Sequence, residues 1–303
     1  MGIADFLADP KPAPAAPFAD PELESWLATE RPTPEKRDPF WDSIEAPPPP
    51  TGRHGTITYY PELIQGSDEW RDARCGLLTA SEMKLIVAPP PEPETRTKKD
   101  GTPYKQREWN PIASNDKERA HLYELLAQRI TRYVEPSYIS DDMLRGKEDE
   151  IFARQLYSEH YAPVIEMGFI TNDKWGFTLG FSPDGLVGND GFVEAKSRRQ
   201  KFQVETIIEN LPEDAVPLDF AMQTQTGFVV SERQWCDFIT FSGGLPMATI
   251  RVYPIPEVQN AIIEAAGAFE KRLAAKWGEY RAVVASKARL IPTERRVEQE
   301  MHI

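Results

Sequence analysis

The sequence predicts an α/β fold preceded by a disordered N-terminal tail. Twelve of the 28 prolines fall within the first 50 residues, apolar residues at helical spacing follow, and short β-branched and aromatic segments come after them. With 303 residues, 40% of them hydrophobic, the chain is long enough to bury one sizeable core. We therefore expect a tail over residues 1–55, one folded domain over 56–290 and a frayed C-terminal tail over 291–303.

The predicted N-terminal tail is rich in proline and acidic residues. Proline lacks a backbone N–H, so such a segment does not sustain helices or sheets. Residues 1–50 carry ten Asp and Glu against four Lys and Arg, which is a net −6 out of −13 for the chain. The stretches 21–30 and 38–46 contain Trp26, Phe40 and Trp41, a pattern suited to docking in a partner's groove. The alternative is a solubilising tail with stray aromatic residues.

Helical segments are predicted ahead of the strands. Ser67 and Asp68 indicate one helix start, Thr79 to Glu82 indicate a second, and Gly76 separates the two. Residues 88–111 are rich in Pro, Lys and Arg and are expected to form a mobile loop, whose basic residues either reach phosphate or stay solvated. Two amphipathic helices are predicted over 115–134 (Leu122, Leu125, Leu126, Ile130) and 143–161 (Ile151, Phe152, Leu156, Tyr157).

A strand meander is predicted to follow these helices. Its segments are VIEMGFI, WGFTLGF, DGLVG and GFVEAK, and turn signals separate them at Asn172-Asp173, Pro183 and Asn189-Asp190-Gly191. A helix around 213–230, the strands WCDFITF and ATIRVYP, and a long helix from about Glu257 to Ala288 complete the α/β body.

Composition excludes several classes of protein. Cys75 and Cys236 are far apart in the sequence, which argues against a disulfide framework and a thiolate metal cluster. Neither an apolar run of about 18 residues nor a signal-peptide pattern occurs, so a cytoplasmic location without membrane contact is expected. The net charge of −13 restricts any DNA-binding surface to a local patch. The four histidines are scattered along the chain, so they give little support to other catalytic chemistries (His54, His121, His160, His302).

Asp184, Glu194 and Lys196 are the candidate catalytic residues. Asp184 begins one predicted strand, and Glu194 lies on the next strand, after the Asn-Asp-Gly turn. Strand alternation places Lys196 on the same face as Glu194. Carboxylates held close together bind Mg²⁺, and a lysine beside them orients or deprotonates the attacking water. The trio predicts metal-dependent phosphodiester hydrolysis; the structural alternative is an exposed cross-strand salt bridge.

Other polar residues are placed to support this trio. Glu150 lies on the amphipathic helix just before the meander, but Glu148 and Asp149 compete with it, and periodicity does not choose among them. Gln223 and Gln225 lie in a largely apolar helix, where a buried amide needs a partner. Packing, or capping of loop groups, is the alternative role for both glutamines.

The order of these motifs resembles that of the YqaJ-like, or phage lambda exonuclease-like, recombination nucleases. The resemblance implies a PD-(D/E)XK restriction-endonuclease-like core, with a mixed central sheet flanked by helices. It covers roughly residues 60–250. The matching segments are GSDEWRDARCGLLTAS at Gly66 to Ser81, RGKEDE at Arg145 to Glu150, SPDG at Ser182 to Gly185, EAK at Glu194 to Lys196 and QTQ at Gln223 to Gln225.

The resemblance also implies individual roles. Asp184, Glu194 and the Ala195 carbonyl would bind Mg²⁺, and Lys196 would activate water. Alignment with the family's helical Glu selects Glu150 over Glu148 and supports a second ion. Two further roles are implied: Gln223 would orient the lysine and the nucleophile, and Arg74, Thr79 and Ser81 would hold the phosphate at the DNA end.

The implied activity is that of a recombination exonuclease. Family members degrade one strand of duplex DNA from its 5′ end, leave a 3′ overhang for an annealing protein, and in some cases form toroidal trimers. The implied cofactor is two Mg²⁺ ions, with Mn²⁺ as an alternative because oxygen ligands accept both. The implied partners are double-stranded DNA ends, an annealing recombinase or single-strand-binding protein at the tail, and two further copies in a homotrimer. A phage-encoded protein would act in the bacterial cytoplasm.

One departure from the family pattern and two alternatives accompany this interpretation. Ser197, Arg198 and Arg199 follow Lys196, where family sequences commonly have a small residue or Cys and then Pro. Arg198 and Arg199 are therefore candidate DNA contacts. The alternatives are an endonuclease or general DNA-processing nuclease on the same fold, and a non-catalytic DNA-end or protein-binding module.

Overall fold

The computed structural model describes residues 50–91, 105, 107–136, 140–286 and 289–295. The aromatic residues of the predicted tail, most of the basic loop and His302 lie outside the described residues. The first strand already begins at Gly52, ahead of the start expected near Ile57. None of the helices in the described part of the chain combines the length and apolarity that crossing a membrane requires.

Groups of strands and groups of helices follow one another along the described residues. The elements are β1 (Gly52–His54), β2 (Ile57–Tyr60), α1 (Asp68–Arg74), β3 (Leu78–Thr79), a 3₁₀ helix (Ala80–Leu85), α2 (Asp116–Thr131), α3 (Asp141–His160), β4 (Phe169–Asn172), β5 (Leu179–Phe181), β6 (Gly185–Val187), β7 (Gly191–Ser197), α4 (Gln200–Glu205), α5 (Leu218–Ser231), β8 (Trp235–Phe241), β9 (Ala248–Val252) and α6 (Pro256–Ala285). The predicted α/β body is thereby confirmed.

The strands form two mixed sheets. The first has the order β1-β2-β4-β5-β3, and β3 runs parallel to β5. The second has the order β6-β7-β8-β9, and β7 runs parallel to β8. An isolated bridge between Ile165 and Leu186 connects the segment before β4 to the second sheet. The strands predicted as one mixed sheet are thus divided between two.

Helix α5 connects the two sheets through the core. It contacts β4 and β5 of the first sheet and β8 of the second, as well as the 3₁₀ helix and α6. Phe192 of β7 packs edge to face against Phe181 of β5 and Phe228 of α5, with ring centroids 5.2 and 5.0 Å apart. Edge-to-face packing of buried rings is a favourable arrangement. Both sheets and α5 therefore share one core.

Helix α3 buries only part of the predicted face, since Tyr157 is buried as predicted and two other predicted residues are not. Ile151 and Phe152 are each 57% exposed, whereas Ala153 and Tyr157 are fully buried against the second sheet. The Tyr157 hydroxyl donates a hydrogen bond to Asp237 on β8, and this contact sets the rotation of the helix. The prediction of Ile151 and Phe152 as core residues is wrong because apolarity alone did not reveal this polar anchor.

The segment after β7 contains helix that the sequence did not predict. Helix α4 continues into a π-helical turn at Thr206–Asn210 and a 3₁₀ turn at Leu211–Glu213. Its apolar residues Phe202, Val204 and Ile208 are exposed, so they follow no core-facing pattern. By contrast, Gly76 has a φ of 73° between α1 and the 3₁₀ helix, which confirms its expected role as a breaker.

Candidate active site

The β6–β7 hairpin places Asp184 beside the strand that carries Glu194 and Lys196. Asp184 directly precedes β6, and Gly185 pairs with Val193 in the antiparallel register. The Asp184 carboxylate accepts a hydrogen bond from the backbone N–H of Ala195 at 2.6 Å. Arg154 of α3 donates to the Asp184 carbonyl at 2.9 Å. The turn that carries the carboxylate is therefore held from both sides.

Glu194, Lys196 and Gln223 form one buried hydrogen-bonded group. Lys196 Nζ lies 2.5 Å from Glu194 Oε1, and the Gln223 amide donates to the same oxygen. The side chains of Glu194 and Lys196 are 1% and 19% exposed. The second oxygen, Glu194 Oε2, is buried without a hydrogen-bond partner among the described residues. A buried carboxylate oxygen in this condition is a ready ligand for a cation.

Glu150 of α3 interacts electrostatically with Asp184 and Lys196. Burial, and then the nearby Asp184, raise the pKa of Glu150 to about 7. Of its two sequence competitors, Glu148 is exposed and Asp149 accepts a hydrogen bond from Ser197 Oγ. The structure therefore brings Glu150, and neither competitor, to the pair formed by Asp184 and Glu194.

The electrostatics of the group favour a bound cation. Burial raises the pKa of Glu194 to about 8 and also raises that of Asp184. Burial alone would lower the pKa of Lys196, but the surrounding carboxylates raise it overall. One ammonium group interacts with three carboxyl groups. The carboxyl groups offer oxygen ligands, which Mg²⁺ prefers. The residues present therefore fit the metal that the family resemblance implies.

A second polar group surrounds Arg74 at the end of α1. Its guanidinium donates to Thr79 Oγ1 at 3.1 Å, to Ser81 Oγ at 3.4 Å and to Ser182 Oγ at 3.3 Å. It also lies 4.2 Å from the centre of the Trp70 ring, whose Nε1 donates to Ser182. Three hydroxyl groups around a half-buried guanidinium provide hydrogen-bonding groups for an anion.

Ser182 and Trp70 were not identified as site residues from the sequence. Both lie within motifs that the sequence analysis identified, SPDG and GSDEW, but the spacing of residues did not indicate a hydrogen-bond partner for either side chain. Ser182 connects the two groups, since it binds Arg74 and precedes Asp184 by two residues. Arg74, Thr79 and Ser81, which were expected to act together, are brought together.

The remaining candidates lie around this centre. Gln225 donates to the Tyr253 carbonyl and accepts from the Ile255 N–H, so it caps the loop before α6. The Arg198 guanidinium stacks over the rings of Phe202 and Phe220, and Arg199 is the N-cap residue of α4. A DNA contact by either arginine stays a prediction.

The known structures that are similar to this chain include two crystal structures of one exonuclease. An alkaline exonuclease, LHK-Exo from Laribacter hongkongensis, is 26% identical with a TM-score of 0.59, and the match covers 73% of this chain and 100% of that one. The complex of LHK-Exo with dAMP is 27% identical with a TM-score of 0.58 and the same coverage. Among curated proteins, no match was found.

The family comparison covers most of the site described above. The model of the YqaJ-like viral recombinase domain matches residues 69–234, more than half of the chain. This range includes every member of the two polar groups, from Trp70 to Gln223. The chain belongs to the family of YqaJ-like viral recombinase domains.

Proposed function

We propose that this protein is a Mg²⁺-dependent 5′-to-3′ exonuclease that degrades one strand from the ends of double-stranded DNA. The observation that carries the proposal is the convergence of Asp184, Glu194 and Glu150 with Lys196 in one buried group. Family membership supports a nuclease, and LHK-Exo is described as an alkaline exonuclease. The dAMP in the second crystal structure is a deoxynucleoside monophosphate, the unit that stepwise DNA hydrolysis releases.

Asp184, Glu194 and Glu150 are the proposed ligands of two Mg²⁺ ions, together with the Ala195 carbonyl. When bound, such ions stabilise charge on the phosphoryl oxygens and lower the pKa of a bound water. Mn²⁺ offers the same preference for oxygen ligands. The unpartnered Glu194 Oε2 supports this assignment, because it is a buried oxygen that the described residues leave unsatisfied.

Lys196 is proposed to act as a charged hydrogen-bond donor. Nζ donates to Glu194 Oε1 at 2.5 Å, and in the metal-free protein the surrounding carboxylates raise the pKa of Lys196. Of the two roles open to this lysine, the structure favours orienting the attacking water over removing a proton from it. Gln223 fixes the Glu194 oxygen that Lys196 binds, and it thereby positions the ammonium.

The Arg74 group is proposed to hold the phosphate at the DNA end. Its guanidinium donates to Thr79, to Ser81 and to Ser182, and Ser182 lies two residues before Asp184 in the same turn. An anchor for a terminal phosphate next to the hydrolytic group would favour cleavage at an end over cleavage within a duplex. The product would be a 3′ single-stranded overhang for an annealing recombinase or single-strand-binding protein.

Digestion of end-labelled DNA tests this function. Linear duplex labelled at the 5′ or the 3′ end would be incubated with Mg²⁺ or EDTA, and covalently closed circles would serve as the control. We expect Mg²⁺-dependent release of mononucleotides from the 5′ end and intact circles. Cleavage of the circles would replace the proposal with an endonuclease, loss from the 3′ end would reverse the polarity, and no cleavage of any DNA would indicate a binding module.

A further inference from the structure

A histidine and two glutamates form a separate cluster on the other side of the Arg74 group. His121 and Glu124 lie one turn apart on α2, and Glu82 projects from the 3₁₀ helix. His121 Nδ1 is 3.0 Å from Glu124 Oε2, and His121 Nε2 is 3.7 Å from Glu82 Oε2. One ligand atom from each residue can be chosen so that all three lie within 4.8 Å of one another. None of these residues belongs to the group of Asp184, Glu194 and Glu150.

The imidazole of His121 is buried with one nitrogen unsatisfied. The residue is 2% exposed and packs against Phe269, and Nε2 has no hydrogen-bond partner among the described residues. A neutral imidazole that donates from Nδ1 to Glu124 presents a lone pair at Nε2. That buried lone pair faces the Glu82 carboxylate, which is 34% exposed, so two acceptors oppose each other. A cation between them would remove this unfavourable contact.

The dimensions of the cluster fit a small divalent ion. Two ligand atoms at the usual Zn²⁺ distances in a tetrahedral arrangement lie about 3.3 Å apart. The 3.7 Å separation of His121 Nε2 from Glu82 Oε2 is close to that value and too long for a good hydrogen bond. The bond from Nδ1 to Glu124 matches the carboxylate–histidine–metal arrangement, in which the second nitrogen orients the ring.

We propose that Glu82, His121 and Glu124 form a second divalent-metal site, distinct from the hydrolytic one and selective for an ion such as Zn²⁺. His121 Nε2 and Glu82 are direct ligands, and Glu124 orients the imidazole. An imidazole nitrogen in the donor set favours Zn²⁺ over Mg²⁺, which prefers oxygen donors. The site joins α2 to the 3₁₀ helix, two elements that are separated in sequence by residues 86–115.

The proposed site also touches the Arg74 group through a shared hydrogen bond. Thr79 Oγ1 donates to Glu82 Oε2 at 2.9 Å and accepts from the Arg74 guanidinium at 3.1 Å. An ion on Glu82 would fix the carboxylate that orients the Thr79 hydroxyl. The proposed ion would therefore lie next to the phosphate-binding residues and outside the hydrolytic group.

Metal binding by a variant that lacks the hydrolytic carboxylates tests the proposal. The full chain with Asp184→Asn and Glu194→Gln would be stripped with EDTA, dialysed against Zn²⁺ and assayed for bound metal and for its unfolding temperature. We expect one Zn²⁺ per chain and a rise in unfolding temperature. Addition of His121→Gln or Glu124→Gln should weaken Zn²⁺ binding at least about tenfold.

Two matched variants serve as controls, and the readout does not depend on nuclease activity. His54→Gln and Glu279→Gln alter an exposed histidine and an exposed glutamate outside the cluster, so both should keep the Zn²⁺. Glu124 is 55% exposed, so its variant remains informative if His121→Gln fails to fold. Absence of Zn²⁺ from the parent variant, or equal Zn²⁺ binding after His121→Gln or Glu124→Gln, would overturn the proposal.

Discussion

Gln223 and Gln225 lie two residues apart on α5, but only Gln223 contacts the candidate active site, whereas Gln225 binds the backbone of a loop. Gln223 donates to Glu194, whereas Gln225 bonds both the Tyr253 carbonyl and the Ile255 N–H. Residues two apart on a helix point in different directions, which explains the division. The sequence motif contains both glutamines and does not distinguish them.

The two glutamines should therefore fail in different ways when they are changed. We expect Gln223→Ala to slow single-turnover cleavage about 10²-fold, because one donor to the charged group is lost, with little effect on stability. Gln225→Ala should lower the free energy of unfolding by about 1–3 kcal/mol, because two backbone groups lose a partner, and should largely spare cleavage. Urea unfolding and single-turnover kinetics measure both effects. The same loss of cleavage in both variants at equal stability would contradict this assignment.

Arg74 should determine the preference for a terminal phosphate. We expect Arg74→Ala to reduce cleavage of 5′-phosphorylated duplex at least about tenfold, since a charge-assisted contact contributes about 1.5–3 kcal/mol. Ends with a 5′-hydroxyl should be much less affected. The comparison is kcat/KM on the two substrates, and Arg71→Ala, an exposed arginine on the same helix, is the control. Equal loss on both substrates would show that Arg74 serves the fold and not the phosphate.

Helix α3 shows how an element is oriented by polar contacts as much as by apolar ones. Tyr157 is buried with its hydroxyl on Asp237, and Arg251 holds the same carboxylate at 2.7 Å. Ala153, four residues before Tyr157, allows α3 to pack closely on the second sheet. This orientation turns Glu150 toward Asp184 and leaves Ile151 and Phe152 exposed.

Substitutions on α3 should separate Ile151, a predicted core residue that is exposed, from Tyr157, a predicted core residue that is buried. We expect Ile151→Gln to change the free energy of unfolding by less than about 0.5 kcal/mol, as is usual for exposed positions. Tyr157→Ala should reduce it by about 3–5 kcal/mol, because a large buried aromatic residue is removed. Urea unfolding gives both values. A larger loss from Ile151→Gln than from Tyr157→Ala would mean that α3 packs through its apolar residues.

Local elements were predictable where the sequence carries a local signal. The Asn189-Asp190-Gly191 turn predicted the β6–β7 hairpin, and Ser67 caps α1 through the Trp70 N–H as expected. The π-helical turn at 206–210 has no such signal. The assignment of strands to two sheets depends on pairings far apart in sequence, such as β7 with β8, which periodicity does not reveal.

At the scale of the whole molecule, the site joins residues from widely separated parts of the chain. Strand spacing alone predicted that Glu194 and Lys196 share a face beside Asp184. The choice of Glu150 from α3, and the approach of Arg74 from α1, came from the family resemblance, since no local rule links these elements. The net charge of −13 is consistent with a DNA-binding surface limited to such a local group.

The buried carboxyls should make the stability of the metal-free protein depend on pH. The pKa values of Glu150 and Glu194 are raised from 4.5 to about 7 and about 8, so the folded state holds more protons than the unfolded state between these values. The free energy of unfolding should therefore fall as the pH rises from about 4.5 to 8. Mg²⁺ should offset this loss by favouring the ionised forms.

Chemical unfolding in EDTA at pH 6 and pH 9 measures this effect. Glu194→Gln should remove part of the difference between the two pH values, whereas Glu279→Gln, an exposed change on α6, should leave it intact. A metal-free wild type that is as stable at pH 9 as at pH 6 would show that the carboxyls are not buried together as described.

Single-turnover cleavage by Lys196→Ala tests the central claim most directly, which is that the group around Glu194 and Lys196 performs DNA hydrolysis. Lys174→Ala, a change to an exposed lysine paired with Glu232, serves as the matched control. With saturating linear duplex and Mg²⁺, we predict that Lys196→Ala slows cleavage about 10²–10⁴-fold while DNA binding is retained, and that Lys174→Ala cleaves at the wild-type rate. Cleavage by Lys196→Ala at the wild-type rate would contradict the account and place the hydrolytic centre elsewhere in the protein.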